Sequence, residues 1–214
     1  FFFKQKTAYE IKECDWSSDV CSSDLPFPNV EFQALLTEIA AQKPDVVFAF
    51  FAGGGAVKFV KDYDAAGLKK SVPLVASGFL TDGTLEAQGA SAQGILSTLH
   101  YADNLETPRN NAFRKSFALT YKQNADVYAV QGYDTGQLLV QGLSAVKGDA
   151  SAKKDLYAAM KAAKIDSPRG PWTFSKSQNP VQDFYLRKVV NGENKYQSVA
   201  VKALDDPSAG CKMA

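Results

Sequence analysis

The sequence predicts an α/β protein in which a parallel sheet is covered by helices, and three observations predict it. Short unbroken apolar runs, DVVFAFF (45–51), VPLVAS (72–77) and GILSTLHY (94–101), read as strands buried on both faces. Between and around them, apolar residues recur at three-to-four spacing, the period of an amphipathic helix. The 214 residues suffice for one large domain or two small ones, and 45% apolar against 22% charged residues is a globular balance.

Asn29 is placed to cap a first helix carrying Phe32, Leu35, Leu36 and Ile39, which Pro44 closes. After the strand at 45–51, Gly53, Gly54 and Gly55 make a turn. AVKFVKDYDAAGL (56–68) is then an amphipathic helix with Gly67 as its C′ glycine. The strand at 72–77 leads into GFLTDGTLEAQG (78–89), a loop with a short helix, and then to the strand at 94–101. This β-α-β-α-β order requires parallel strands joined by helical crossovers. ADNLETPRNN (102–111) is a polar connection, after which Phe113, Phe117 and Tyr121 lie four apart on one helix face. Asp126 or Asn124 starts the next helix, 127–146. Its glycines Gly132, Gly136 and Gly142 each cost about 1 kcal/mol relative to Ala and point to close packing or a nearby ligand. A third helix runs through 151–163. SPRGP (167–171) is a second connection, and WTFS, DFYLRKVV and YQSVAVKAL read as strands with an Asn191-Gly192 hairpin turn.

Composition narrows the function. Lys and Arg number 24 against 23 Asp and Glu, a formal +1, so no overall field recruits nucleic acid or a membrane surface. No run approaches the roughly 18 apolar residues of a membrane span. One His and three Cys argue against a His-based metal site or a Ser-His-Asp triad, so neither metal nor cofactor is expected. The balance leans away from an enzyme and towards a binding protein. FAGGGAVKF lacks the GxGxxG spacing of a nucleotide turn.

Residues 1–25 do not belong with the rest. KQKTAYEI reads as the translation of the index side of a sequencing adapter, and DWSSDVCSSDL as its other constant half, with Lys12, Glu13 and Cys14 where a variable index falls. The segment is expected to be non-native and unstructured, with no function for Cys14, Trp16 or Cys21. On this reading the native chain begins near Pro26 and lacks its N-terminal part. Cys211 is then the one native cysteine, either free or bridged to a residue in the absent part.

Five stretches in order, VVFAFFAGGGAVKFVKDYDAAGL, LVASGFLTDG, YAVQGYDTGQLL, RGPWTFSKSQNPVQDFYLRKVVNGE and AGCKM, resemble the type I periplasmic substrate-binding proteins of ABC importers, the Leu/Ile/Val-binding group. The resemblance covers residues 26–214. It implies a two-lobe α/β fold with ligand held in the cleft, incomplete here at the N-terminus. Residues 26–101 would form the C-terminal lobe, 102–168 would return to the N-terminal lobe, and 169–214 would cross back. It implies an extracytoplasmic protein, periplasmic, that delivers a branched-chain amino acid or related small carboxylate or amide to a membrane permease. A sensor or regulator of the same fold is the alternative, and an enzyme a more distant one.

Ligands of parallel α/β sheets bind beyond the carboxyl ends of the strands. The turn Phe50-Phe51-Ala52-Gly53-Gly54 offers aromatic surface and N–H groups at a helix start, with Phe51, Ala52, Gly53 and Gly54 as candidate ligand contacts, although a plain tight turn needs the same glycines. Ser77, Gly78 and Phe79 end the next strand. By the resemblance, amino-acid-binding members carry a Glu where Ser77 stands and an aromatic where Ala52 stands. Without that carboxylate an ammonium loses a partner worth about 1.5–3 kcal/mol, so an aromatic acid or amide becomes as credible a ligand as an amino acid. Tyr128 matches an aromatic offered by the N-terminal lobe, or is a core residue. Tyr133 and Asp134 read as structural, His100 as a surface or hinge residue, and Lys58, Lys61, Lys69 and Lys70 as a solvated face. The groups gripping the ligand's carboxylate would lie in the absent part, so weak or no binding is expected of this chain alone, with the helices at 113–163 poorly supported.

Overall fold

The computed structural model describes residues 2–3, 31–207 and 209. Asn29, Pro26, Cys14, Trp16, Cys21 and Cys211 lie outside the described residues. The chain divides into two compact units, Phe1–Thr98 with Lys188–Asn194, and Leu99–Arg187 with Lys195–Ala214. It therefore passes between them three times.

The first unit is a parallel sheet with helices. Strand β1 (Phe2–Phe3) precedes α1 (Gln33–Gln42), β2 (Val46–Ala49), α2 (Gly53–Ala65), β3 (Leu74–Ser77), α3 (Leu85–Gln88) and β4 (Leu96–Leu99). Strands β2 and β3 pair in parallel with Ala49 opposite Ala76, and β3 and β4 with Ser77 opposite Thr98. Phe2 and Phe3 pair antiparallel with Val47 and Val46. These two residues were expected to be unstructured; they add a short strand to β2, whose outer edge would otherwise be an unpaired row of backbone groups. The remainder of 1–25 lies outside the described residues.

Packing in this unit centres on aromatic rings. Phe59, on the buried face of α2, stacks 5.1 Å from Phe32, 4.8 Å from Phe51 and 5.7 Å from Tyr63. Val47, Ala49, Leu74 and Ala76 of β2 and β3 complete the core. A buried ring of this size contributes about 1.5–3 kcal/mol. The expected helix after the glycine turn starts earlier than its apolar pattern. Ala52 is extended (φ −136°), Gly53 turns the chain with φ 54°, and all three glycines enter the first turn. Gly67 closes α2 with φ 74°, as its composition implied. On the other side of the sheet, Val189 exchanges backbone hydrogen bonds with Gly94 and Ile95, which fixes Lys188–Asn194 to this unit.

The second unit contains α4 (Pro108–Tyr121), α5 (Val127–Ala145), α6 (Lys153–Lys161), β5 (Thr173–Phe174) and most of β6 (Pro180–Val190) and β7 (Glu193–Leu204). Thr107 caps α4 by accepting from Asn110 N at 3.1 Å, with Pro108 in the first turn. Asp126 caps α5 by accepting from Ala129 N at 2.9 Å. Its core gathers Tyr101, Leu105, Phe113, Val127, Val130 and Tyr185. Strands β5 and β6 pair antiparallel, β7 pairs with β6, and the turn between β6 and β7 has Asn191 at φ 53° and Gly192 at φ 77°.

The block 169–214 was expected to return as a whole to the unit that holds 26–101. Only Lys188–Asn194 does so; 169–187 stays with the second unit and 195 onwards rejoins it. The reason is strand length. Strand β6 runs eleven residues without a break, so it is long enough to belong to both units, and no composition change marks where it leaves one for the other. The first passage falls at Thr98–Leu99, three residues before the expected boundary.

Candidate functional site

In the first unit, the parallel pairing of β2 and β3 sets their carboxyl ends side by side. Phe50 to Gly54 follow β2, and Ser77 to Phe79 follow β3, so two of the three expected clusters form one sheet edge. Alternation along the chain then decides which rings face out. Phe51 is half-buried and turned to Phe32 and Phe59, whereas Phe50 is 62% exposed and lies edge-to-face with Phe79, centroids 6.0 Å apart. Of the two rings in the candidate turn, the outward one is thus Phe50 and not Phe51, and the two-residue period of the strand was the signal that could have chosen between them.

Behind Phe50, Ala52 contributes no side-chain cap to α2. Ala56 N donates to Ala52 O, leaving the amides of Gly53, Gly54 and Gly55 without an acceptor in the helix. A side chain added at any of the three would meet nothing within 4 Å, so this helix start is open. Ser77 caps a 3-10 turn over Gly78–Leu80 without a side-chain bond, and its Oγ is buried with no hydrogen-bond partner among the described residues. Gly78 is buried, and Phe79 is half-buried. No acidic or basic side chain occurs in Phe50–Gly54 or Ser77–Phe79. Such an edge offers aromatic surface, neutral donors and one hydroxyl.

Tyr128 belongs to the second unit, where it is the second residue of α5 and 47% exposed. Farther along α5, Asp134 is buried. It pairs with Arg169 at 2.9 Å and accepts from Ser167 Oγ at 2.8 Å and Trp172 Nε1 at 3.1 Å. Burial raises its pKa, and these partners offset part of the rise. Asp134 therefore ties α5 to the strand-bearing segment as a structural residue. Gln137 and Gln141, one turn apart, extend the tie by bonding the backbones of Asp166 and Lys164.

His100 is not a surface residue. It is 8% exposed, and its pKa is lowered to about 3, first by burial and then by Arg169 and Arg187. Its ring meets Phe184 edge-on and its Nε2 lies 3.3 Å from Gln131 Nε2. The apolar run that ends at Tyr101 carried it inside, immediately after the first passage between units. Lys58 does lie on a solvated face, bridging Glu31 and Asp62. Among the described residues, no helix is long and apolar enough to cross a membrane.

Residues 4–194 match the family model described as periplasmic binding protein. A Leu/Ile/Val-binding protein homolog of Brucella melitensis is 31% identical over 176 residues, covering 79% of this chain and 45% of the relative. Among solved structures, an ABC-transporter solute-binding protein of Rhodopseudomonas palustris in complex with benzoate is 52% identical at TM-score 0.82, over 87% of this chain and 51% of that one. Another, from Rhodopseudomonas palustris BisB5 in complex with 3,4-dihydroxybenzoic acid, is 31% identical at TM-score 0.76, over 86% and 52%. The chain spans about half the length of the relatives it matches.

Proposed function

The chain belongs to the periplasmic binding protein family, and from that premise we propose that it serves as the solute-binding component of an ABC importer. It acts outside the cytoplasm, in the periplasm, and hands a small carboxylate to a membrane permease. We place the ligand at the sheet edge of the first unit, against Phe50, Gly53, Gly54, Ser77, Gly78 and Phe79; Tyr128 is a separate candidate contact, proposed for the second unit by itself.

The ligand class follows from what the edge lacks. An α-ammonium placed there finds no carboxylate, a loss of about 1.5–3 kcal/mol relative to a charge-assisted bond. A planar aromatic acid needs none, and its ring packs on Phe50 and Phe79 in the edge-to-face manner of aromatic pairs. The observation that carries this reading is that the 52% identical relative holds benzoate. An aromatic monocarboxylate is therefore favoured over leucine, isoleucine or valine.

The test is calorimetric. Residues 31–207 replace the matched half of the benzoate-complexed relative, and the chimera is titrated with benzoate and with leucine. Benzoate binding with leucine at least tenfold weaker supports the proposal; leucine binding as tightly as benzoate overturns the ligand class. Binding of neither overturns the role.

A further inference from the structure

We propose that the second unit carries a small-molecule site of its own, a groove along α5 and α6 that takes an amphipathic monoanion. The ligand is a flexible acyl chain whose carboxylate head meets Lys161. Every residue lining the groove belongs to the second unit, so the site is independent of the sheet edge.

The groove offers about 350 Å³ between Leu138 of α5, Tyr157, Met160 and Lys161 of α6, Phe174 at the end of β5 and Gln178 in the loop after it. That volume lies in the range of small-molecule sites. Its floor follows from the sequence. Gly142 lets α6 come close, since a Cβ there would stand 2.5 Å from Met160 Cγ and 3.0 Å from Leu156 Cδ1. Leu138 lies one turn before Gly142 on α5, and Tyr157 one turn before Lys161 on α6, so the groove runs lengthwise along the helices. The lip is held by hydrogen bonds. Ser175 N donates to Asn179 O at 2.8 Å and Asn179 N to Ser175 Oγ at 3.1 Å. Asp206 accepts from Ser177 Oγ at 2.7 Å and from Asn179 Nδ2 at 2.6 Å. Between these bonds Gln178 is kept at φ 67°, a left-handed backbone that is strained for a residue other than glycine and that clusters at ligand sites. Trp172 meets the Phe174 ring edge-on, with centroids 5.1 Å apart.

Leu138, Met160 and Phe174 make the wall apolar, and Tyr157 is 62% exposed, so a hydrocarbon body laid there removes apolar surface from water. The unbranched side chain of Met160 adapts its shape to a flexible occupant. Charge selects the head group. Lys161 makes no hydrogen bond or ion pair among the described residues. Lys153 and Lys154 share α6 with it, Lys164 follows, and Lys176 lies in the lip loop, against Asp155 as the one acidic residue of the helix. A carboxylate therefore meets an ammonium in a field of opposite sign, with the Gln178 amide as a neutral donor. A cationic head would be repelled.

The chain has two methionines, Met160 and Met213, so methionine methyl NMR reads the groove directly once Met213→Leu has assigned the signals. Octanoate, octan-1-ol and octylamine are titrated into the 214-residue chain. Octanoate is expected to shift the Met160 methyl saturably and to bind about threefold to fivefold more tightly than octan-1-ol, the span of a partly exposed ion pair. Lys161→Gln, a surface change, is expected to make the two bind equally. Ala158→Phe, which fills the groove, is expected to remove both responses. No Met160 response to octanoate, octylamine binding as tightly as octanoate, or an unchanged preference in Lys161→Gln overturns the inference. Backbone shifts at Phe50–Phe79 without a Met160 response would put the acid at the sheet edge, which overturns the second site while the solute-binding role stands.

Discussion

His100 is the one histidine of the chain, so its titration can be followed without ambiguity. In the folded second unit its pKa is lowered to about 3 from an ordinary 6.5, by burial and by the charges of Arg169 and Arg187. The other groups against it, Gln131 and the Phe184 ring, carry no charge. Above pH 6.5 both folded and unfolded forms are neutral, and the group is silent. As pH falls below 6.5 the unfolded chain takes up a proton that the folded unit refuses, so stability is lost steadily down to the folded pKa. One pKa unit is about 1.36 kcal/mol, so roughly 2 kcal/mol is lost at pH 5 relative to pH 7. The assay is urea unfolding at both pH values, read by Trp172 fluorescence in a Trp16→Phe background, with His100→Gln as control. The control should lose about 2 kcal/mol less than the parent on acidification. An imidazole proton resonance titrating between pH 6 and 7 in the folded protein, or an unchanged pH slope in His100→Gln, would refute the burial argument.

Other consequences are independent of this one. Asp134→Ala leaves the Arg169 guanidinium buried beside Trp172 without its carboxylate; equilibrium unfolding should show a loss of about 3–5 kcal/mol, and adding Arg169→Met should recover much of it. On α5, Gly142→Ala places a methyl 2.5 Å from Met160 Cγ and should destabilise by about 1–3 kcal/mol. Gly136→Ala meets nothing within 4 Å and should stabilise by up to about 1 kcal/mol, so thermal melts of the two variants should move in opposite directions. Leu119, Val140 and Tyr157 are 64%, 66% and 62% exposed on α4, α5 and α6. Amide exchange is therefore expected to be fast through 113–163 and slow through 45–98; the reverse order would show that these helices are held by more than the described packing.

Much of the first unit was legible in the sequence because local patterns decide it. Short apolar runs bounded by turn residues read as strands, although burial alternates along them and Thr98 of β4 is exposed rather than covered; Gly67 supplied the left-handed backbone that ends α2, and Asn191-Gly192 supplied the positive φ angles of a tight hairpin. Sequence also brought Phe51–Gly54 and Ser77–Phe79 to one edge, since parallel strands align their carboxyl ends. What stayed hidden was long-range. The pairing of Asp134 with Arg169 joins residues on different elements, and no periodicity announces it. The passage of β6 from one unit to the other leaves no mark in an eleven-residue strand. The burial of His100 and the outward turn of Phe50 depend on which neighbour covers each side chain. Ser77 was singled out from a resemblance, whereas the isolation of its hydroxyl emerged only from the packing.

Chemical-shift mapping of benzoate onto the isotope-labelled chain tests the central claim most directly, because it reports where an aromatic acid sits even when binding is weak. Perturbations concentrated at Phe50–Gly55 and Ser77–Leu80 are the predicted result. Shifts confined to other surfaces, or a stronger response at those residues to leucine than to benzoate, would contradict it.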